Sequence, residues 1–315
     1  MPMKLRAASS RILKLLITAI LLVLVFRSAD PAAIRHNLSR LDLPLISLLL
    51  CAYWGAQMAC AQRWRLLARS LGIGGSYGSF LRLYFAGMFF GIGATSVGGD
   101  IIKAQGAARN AGASFGLGLA SVILDRGAGL VTLLVFGTIA VFLRPIAWRG
   151  VPLPAVYAAG WAALAVLLLL VRRSGATGNA GAGGRLSVLR QAFAVIRSSG
   201  RTAAALVAIS LANALVVLEI VHRLCTATGA APERLALWTV VPIVELLTLL
   251  PVSVSGLGIR EWAYTDSLAL YGFPRESGLT VALALSALVL VRNLAGIFFI
   301  GAVPSPIPSC EDTRR

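Results

Sequence analysis

Ala113 to Leu143 is a run of 31 residues whose only charges are Asp125 and Arg126. As an α-helix it is about 47 Å long, against roughly 30 Å for the hydrocarbon core of a bilayer. Either its first turns lie among the headgroups, or Asp125 and Arg126 face a cavity lined by protein. Neighbours on a helix point about 100° apart, so the two charges need separate partners.

Five further apolar runs share the chain: Ile12–Phe26, Pro44–Ala61, Ala155–Val171, Thr202–Val221 and Gly278–Gly301. Charged residues make up 13% of the sequence and hydrophobic ones 58%. Soluble domains carry about 25% charge, so the fold expected is an all-α, polytopic membrane helix bundle.

The net charge of +17 would suggest nucleic acid in a soluble protein. Here the cations lie between apolar runs, where cytoplasmic loops and anionic lipid headgroups account for them, and no RNA-binding motif is present. Arg63-Trp64-Arg65 with Arg69, and the arginine-rich segment 172–201, mark the cytoplasmic face. Ser174–Gly184 reads as a flexible stretch, and Arg185 to Arg201 as an amphipathic helix on anionic lipid. The N-terminal Lys4, Arg6, Arg11 and Lys14 precede an apolar run with a poor cleavage site behind it, Arg27-Ser28-Ala29-Asp30-Pro31. An uncleaved first helix follows, with both termini cytoplasmic in an inner membrane. Cys51, Cys60, Cys225 and Cys310 form no CxxC, and His36 and His222 no ligand cluster. Neither a metal nor a cofactor is expected.

Two segments are interrupted. Phe85–Ala94 is about half of a membrane span. It breaks at Thr95-Ser96-Val97-Gly98-Gly99-Asp100 and resumes with Lys103 and Arg109. Leu71–Tyr84 before it reads as a loop and a short interfacial helix. Leu235–Leu250 breaks at Pro251 to Glu261 and resumes as Trp262–Tyr271. Each reads as two half-helices meeting at a polar elbow in the membrane. The plainer alternative for the first is a short cytoplasmic loop between ordinary helices. The expectation is about six full spans plus two broken segments, the first entered from the cytoplasm and the second from outside. Residues 1–303 then form one transmembrane domain, an inverted repeat with halves 44–143 and 203–301, followed by a disordered tail, 304–315.

The elbows carry the chemistry. Ser96 or Thr95 can cap a helix whose start at Gly98-Gly99-Asp100 offers free N–H groups to a phosphate or carboxylate. Ser255, Gly256 and Gly258 would do the same from the other side, with Arg260 for a bidentate phosphate contact. Asp100, Asp125 and Glu261 can pair with Lys103, Arg126 and Arg260. Such pairs are also what a fold uses merely to neutralise internal charge. Glu219 and Glu245 are lesser candidates. HExxH, Walker and DxD patterns are absent, so an enzyme is not expected, although Asp100, Asp125 and Glu261 leave carboxylate-based transferase chemistry open.

Four motifs occur in the order of a known family. They are Arg63-Trp64-Arg65-Leu66-Leu67, Ser96 to Asp100 with Lys103 and Arg109, Ser121 to Arg126, and Ser255 to Glu261. In these the chain resembles the lysylphosphatidylglycerol synthase transmembrane-region family, the flippase-like integral membrane proteins. The resemblance implies movement of a phospholipid or lipid-linked precursor between leaflets, with a membrane lipid and a lipid-biosynthesis enzyme as partners. The rivals are a membrane-embedded transferase on a lipid-linked substrate and a non-catalytic scaffold. Bifunctional members carry a soluble aminoacyl-transferase domain after the membrane region. This chain ends soon after Gly301, and so looks like the stand-alone form.

Overall fold

The computed structural model describes residues 16–27, 29–93, 96–173, 199–229, 232–249, 253 and 255–302. The N-terminal cations before Leu16, the arginine-punctuated stretch from Arg185 to Arg197 and the tail fall outside these. So do Thr95 and the side chain of Ser96.

Helix α1, Leu16–Arg27, meets α2, Pro31–Ser39, at 92°. At the start of α2 Asp30 accepts the Ala32 N–H at 2.9 Å and Pro31 opens the first turn, a helix start written in two residues. Asp42 caps α3, Leu43–Ser70, by accepting the Leu45 N–H at 3.0 Å. This helix runs well beyond Ala61, so Arg63 lies inside it rather than at its exit. Helix α4, Tyr77–Gly93, also differs from expectation: the short interfacial helix is simply its first turns.

Helix α5, Ser96–Asn110, folds back along α4. The Asn110 amide donates to Ser79 Oγ at 3.0 Å. Gly106 packs on Leu83, and Gly99 on Gly87. Low numbers on α4 meet high numbers on α5, so the pair is a hairpin that returns to the face it entered from. Helix α6 is Phe115–Leu143, capped by Ser114. A two-stranded turn pairs Ala147–Trp148 with Val151–Pro152 before α7, Leu153–Arg173. Helix α8 is Gly200–Ala227.

The second hairpin opens on the opposite face. Helix α9, Arg234–Leu249, starts beside the end of α6, where Arg144 pairs with Glu233 at 3.1 Å. Helix α10, Ile259–Ala269, ends at that same face, where Asp266 accepts from Trp148 and Arg149. Helix α11, Arg275–Leu294, then crosses back and tightens into a 3-10 helix, Ala295–Ala302, against α4. Five segments are long and apolar enough to cross a bilayer: α3, α6, Leu153–Leu170, α8 and Arg275–Gly301. The bent α1–α2 pair makes a sixth if it is one span.

Each hairpin has its own core. Trp64, Phe80, Leu83, Ala104 and Val122 pack around the first. Val217, Leu224, Val240, Tyr264 and Leu285 pack around the second. Outside, Phe142, Val166, Leu170 and Phe298 stay exposed, as lipid-facing residues of a bundle should.

Candidate functional site

Arg63 is buried in the first half, 5% exposed. Its Nε donates to Asp125 Oδ1 at 2.8 Å and its Nη1 to Ser210 Oγ at 3.0 Å, joining α3, α6 and α8. Beside it the Trp64 indole donates to Ser121 Oγ at 3.0 Å. A guanidinium in a bundle interior needs such a carboxylate, and the expected partner of Asp125 was not Arg63. Asp125 and Arg126 do part company as their angular separation requires: Arg126 turns to Asp100 on α5. Lys103 completes that group, 3.2 Å from Asp100 Oδ1 and with its ammonium 4.8 Å from the Tyr84 ring centroid.

Gly99 of the first elbow has a different task from the one expected. A Cβ at Gly99 would lie 2.1 Å from the Gly87 carbonyl oxygen, so Gly99 lets α5 touch α4. Neither Gly98 nor Gly99 lines either of the two cavities described below.

At the second elbow the chain turns through positive φ at Ser255, Gly256 and Gly258, of 52°, 79° and 82°. The Gly258 N–H is not free for a ligand. It donates to Glu261 Oε2 at 2.6 Å, the reach-back of a helix start that satisfies its own first turn. Glu261 also accepts from Ser286, so the expected Glu261–Arg260 ion pair is replaced by a hydroxyl that Arg260 Nη1 approaches at 3.3 Å. Arg260 is 7% exposed, its Nε has no hydrogen-bond partner, and no carboxylate pairs with it among the described residues.

These groups face two adjoining cavities. One, of about 300 Å³, is lined by Arg63, Asp125, Ser210, Asn213 and Glu245. The other, of about 230 Å³, is lined by Asp100, Ser253, Ser255, Gly256 and Arg260. Met88, Lys103, Arg126, Leu249 and Arg292 belong to both walls, so the cavities are neighbours. Both elbows therefore contribute to one polar region inside the bundle. Of the expected residues, Asp100, Lys103, Asp125, Arg126, Ser255, Gly256 and Arg260 reach it. Gly98, Gly99, Gly258 and Glu261 do not line it.

Sequence reasoning passed over Arg63, Arg292, Ser253 and the amide pair Gln57–Asn213, which meet at 3.4 Å. Arg292 lies 4.3 Å from the Tyr53 ring centroid. A usable signal existed for Arg63, which shares a helix stripe with the buried Cys60 and Leu67. Among the described residues no group of three or more His, Cys, Asp or Glu could hold a metal ion.

The family model described as the lysylphosphatidylglycerol synthase TM region matches residues 11–296. No curated protein and no solved structure matches the chain.

Proposed function

The chain belongs to the lysylphosphatidylglycerol synthase TM-region family, and we propose that it moves a phospholipid or lipid-linked precursor between the leaflets of a membrane. One observation carries this reading: two hairpins entered from opposite faces bring their polar elbows to the same internal cavities. A headgroup held there would lie deep in the bundle while its acyl tails stayed in lipid. Span, hairpin and span occur twice, as α3 to α6 and as α8 to α11. Rocking of these halves, related as an inverted repeat, would open the cavity to each side in turn.

The charge pattern supports a cytoplasmic assignment for the face where α3 and α5 end. Arg65, Arg69, Arg82 and Arg109 gather there, whereas Arg144 and Arg149 at the other face are paired with Glu233 and Asp266. With no nucleotide motif in the sequence, transport would run downhill or be coupled to an ion. Asp100 is committed to two cations and Glu261 to its helix start. Glu245, which lines the larger cavity without an ion pair among the described residues, is the better-placed carboxylate for such coupling.

Leaflet exchange of headgroup-labelled lipids in proteoliposomes tests the reading. A transferase would instead yield a new lipid product from purified protein in detergent, without exchange.

A further inference from the structure

The cavity walls carry more positive than negative charge. The cations are Arg63, Lys103, Arg126, Arg260 and Arg292; the carboxylates are Asp100, Asp125 and Glu245. Five against three leaves an excess of two. The excess is also localised. Arg63 has Asp125; Lys103 and Arg126 share Asp100, and the one positive charge this leaves is offset by Glu245 on the wall of the larger cavity. Arg260 and Arg292 have no carboxylate within ion-pair distance among the described residues, and both line the smaller cavity. Glu261 lies behind that wall, 1% exposed, its charge answered by the Gly258 N–H and the positive end of its own helix.

The smaller cavity also contains donors without acceptors. Arg260 Nε and Ser253 Oγ are buried and have no hydrogen-bond partner among the described residues, on residues 7% and 5% exposed. Buried donors in a membrane interior call for an acceptor, and a guanidinium fork matches phosphoryl oxygens closely. Arg292 adds a second cation from α11. Tyr53, Gln57 and Asn213 line the larger cavity next door, where the uncharged part of a headgroup would fit.

We propose that the smaller cavity is a subsite for a doubly charged phosphoryl group, a phosphate monoester or a diphosphate diester, held by Arg260, Ser253 and Arg292. This rests on reading the cavity as the headgroup site, and narrows it. A phosphodiester, the linkage of most phospholipids, brings one negative charge and leaves one cation unanswered. A dianion neutralises the excess and supplies enough terminal oxygens for both orphaned donors. The substrate class is then a lipid ending in a phosphate, or one joined through a diphosphate to its headgroup, and free phosphate shares the same chemistry.

The test compares phosphatidic acid, phosphatidylglycerol and diacylglycerol of identical chains, titrated onto the full chain in detergent. It is run at about pH 8, where a phosphate monoester carries close to two charges. Inorganic phosphate and pyrophosphate are the competitors. Phosphatidic acid should bind about tenfold more tightly than phosphatidylglycerol, and diacylglycerol far more weakly than either. Arg260→Gln should bring the two phospholipids within about twofold of one another. Ser253→Ala, a smaller change to the fold, should cut the preference by about threefold. Arg149→Gln, remote from the cavity, should keep it. Inorganic phosphate that binds more tightly than phosphatidic acid supports the dianion subsite and assigns it to a soluble source. Equal binding of the two phospholipids to folded wild-type protein overturns the subsite. If phosphatidylglycerol is nonetheless exchanged between leaflets, translocation stands while the dianion falls. Tight dianion binding with no lipid exchange has the opposite meaning.

Discussion

Ser255 donates its hydroxyl to the backbone carbonyl of Gly91, 3.0 Å away, and so ties the second elbow to the last turn of the first hairpin's leading helix. The Ile92 carbonyl lies at the same distance. Carbonyls at a helix end lack intrahelical partners, so a side chain from the other half can take them. Any motion that separates the two hairpins at this point must break the contact. Ser255→Ala should cost about 1 kcal/mol of stability and shift the balance between cavity openings. Ser255→Gly loses the same bond but relieves the positive φ of 52°, so it should be the milder change. Thermal denaturation of both variants in one detergent compares them.

Arg63 and Asp125 make the most buried ion pair of the described residues, with side chains 6% exposed each. Removing one partner strands a charge, so Arg63→Met or Asp125→Leu alone should destabilise by about 3–5 kcal/mol. The double variant leaves no stranded charge and should recover most of that loss. A double-mutant cycle on thermal stability measures it. Equal losses for the singles and the double would mean that the pair matters only through Ser210 and packing.

Glycines in the helices divide by what surrounds them. Gly99→Ala would drive a methyl into the Gly87 carbonyl, and Gly296→Ala into that of Phe85, each 2.1 Å from the new carbon. Both should splay their helices and lower the yield of folded protein. Gly127 in α6 has open space at its Cβ. Gly127→Ala should therefore be neutral or stabilise by up to about 1 kcal/mol, through helix propensity alone. Monodispersity after extraction separates the two classes.

At the far face, Arg149 pairs with Asp266 and lies 5.2 Å from the Trp262 ring centroid, clasping the strand turn to α10. The Asp266 contact raises the Arg149 pKa above its ordinary value, so the guanidinium stays charged at any working pH. Its side chain is 59% exposed, which screens the pair. Arg149→Ala should cost less than about 1 kcal/mol and weaken with salt in the wild type. A loss well beyond that, seen by thermal denaturation, would make the clasp a structural lock.

The apolar runs made the bundle legible, because a chain that must satisfy its backbone in lipid has few options. Elbow positions were legible too, since paired glycines beside charge do not sit quietly in a span. What the elbows do was harder to read. Gly99 and Gly258 look like ligand cradles in sequence, yet one makes room for a helix and the other spends its N–H on Glu261. Local pattern cannot distinguish these uses, because the deciding neighbour lies on another turn or another helix. Arg63 was misread for the same reason: beside Trp64 and Arg65 it resembles a membrane boundary. Only the register of α3 against α6 shows that it meets Asp125 62 positions later. Arg292 needed the packing of α11 on α3 before its place in the cavity could be seen.

Leaflet exchange in proteoliposomes tests the central claim most directly. Headgroup-labelled phosphatidic acid and phosphatidylglycerol would be followed with wild-type protein, with Arg260→Gln and with Arg149→Gln, all three verified as folded. The account predicts exchange with the wild type and Arg149→Gln, reduced about tenfold or more by Arg260→Gln. Exchange that is equal in all three would show that the cavity is not the route. No exchange of any lipid above protein-free vesicles would contradict translocation itself.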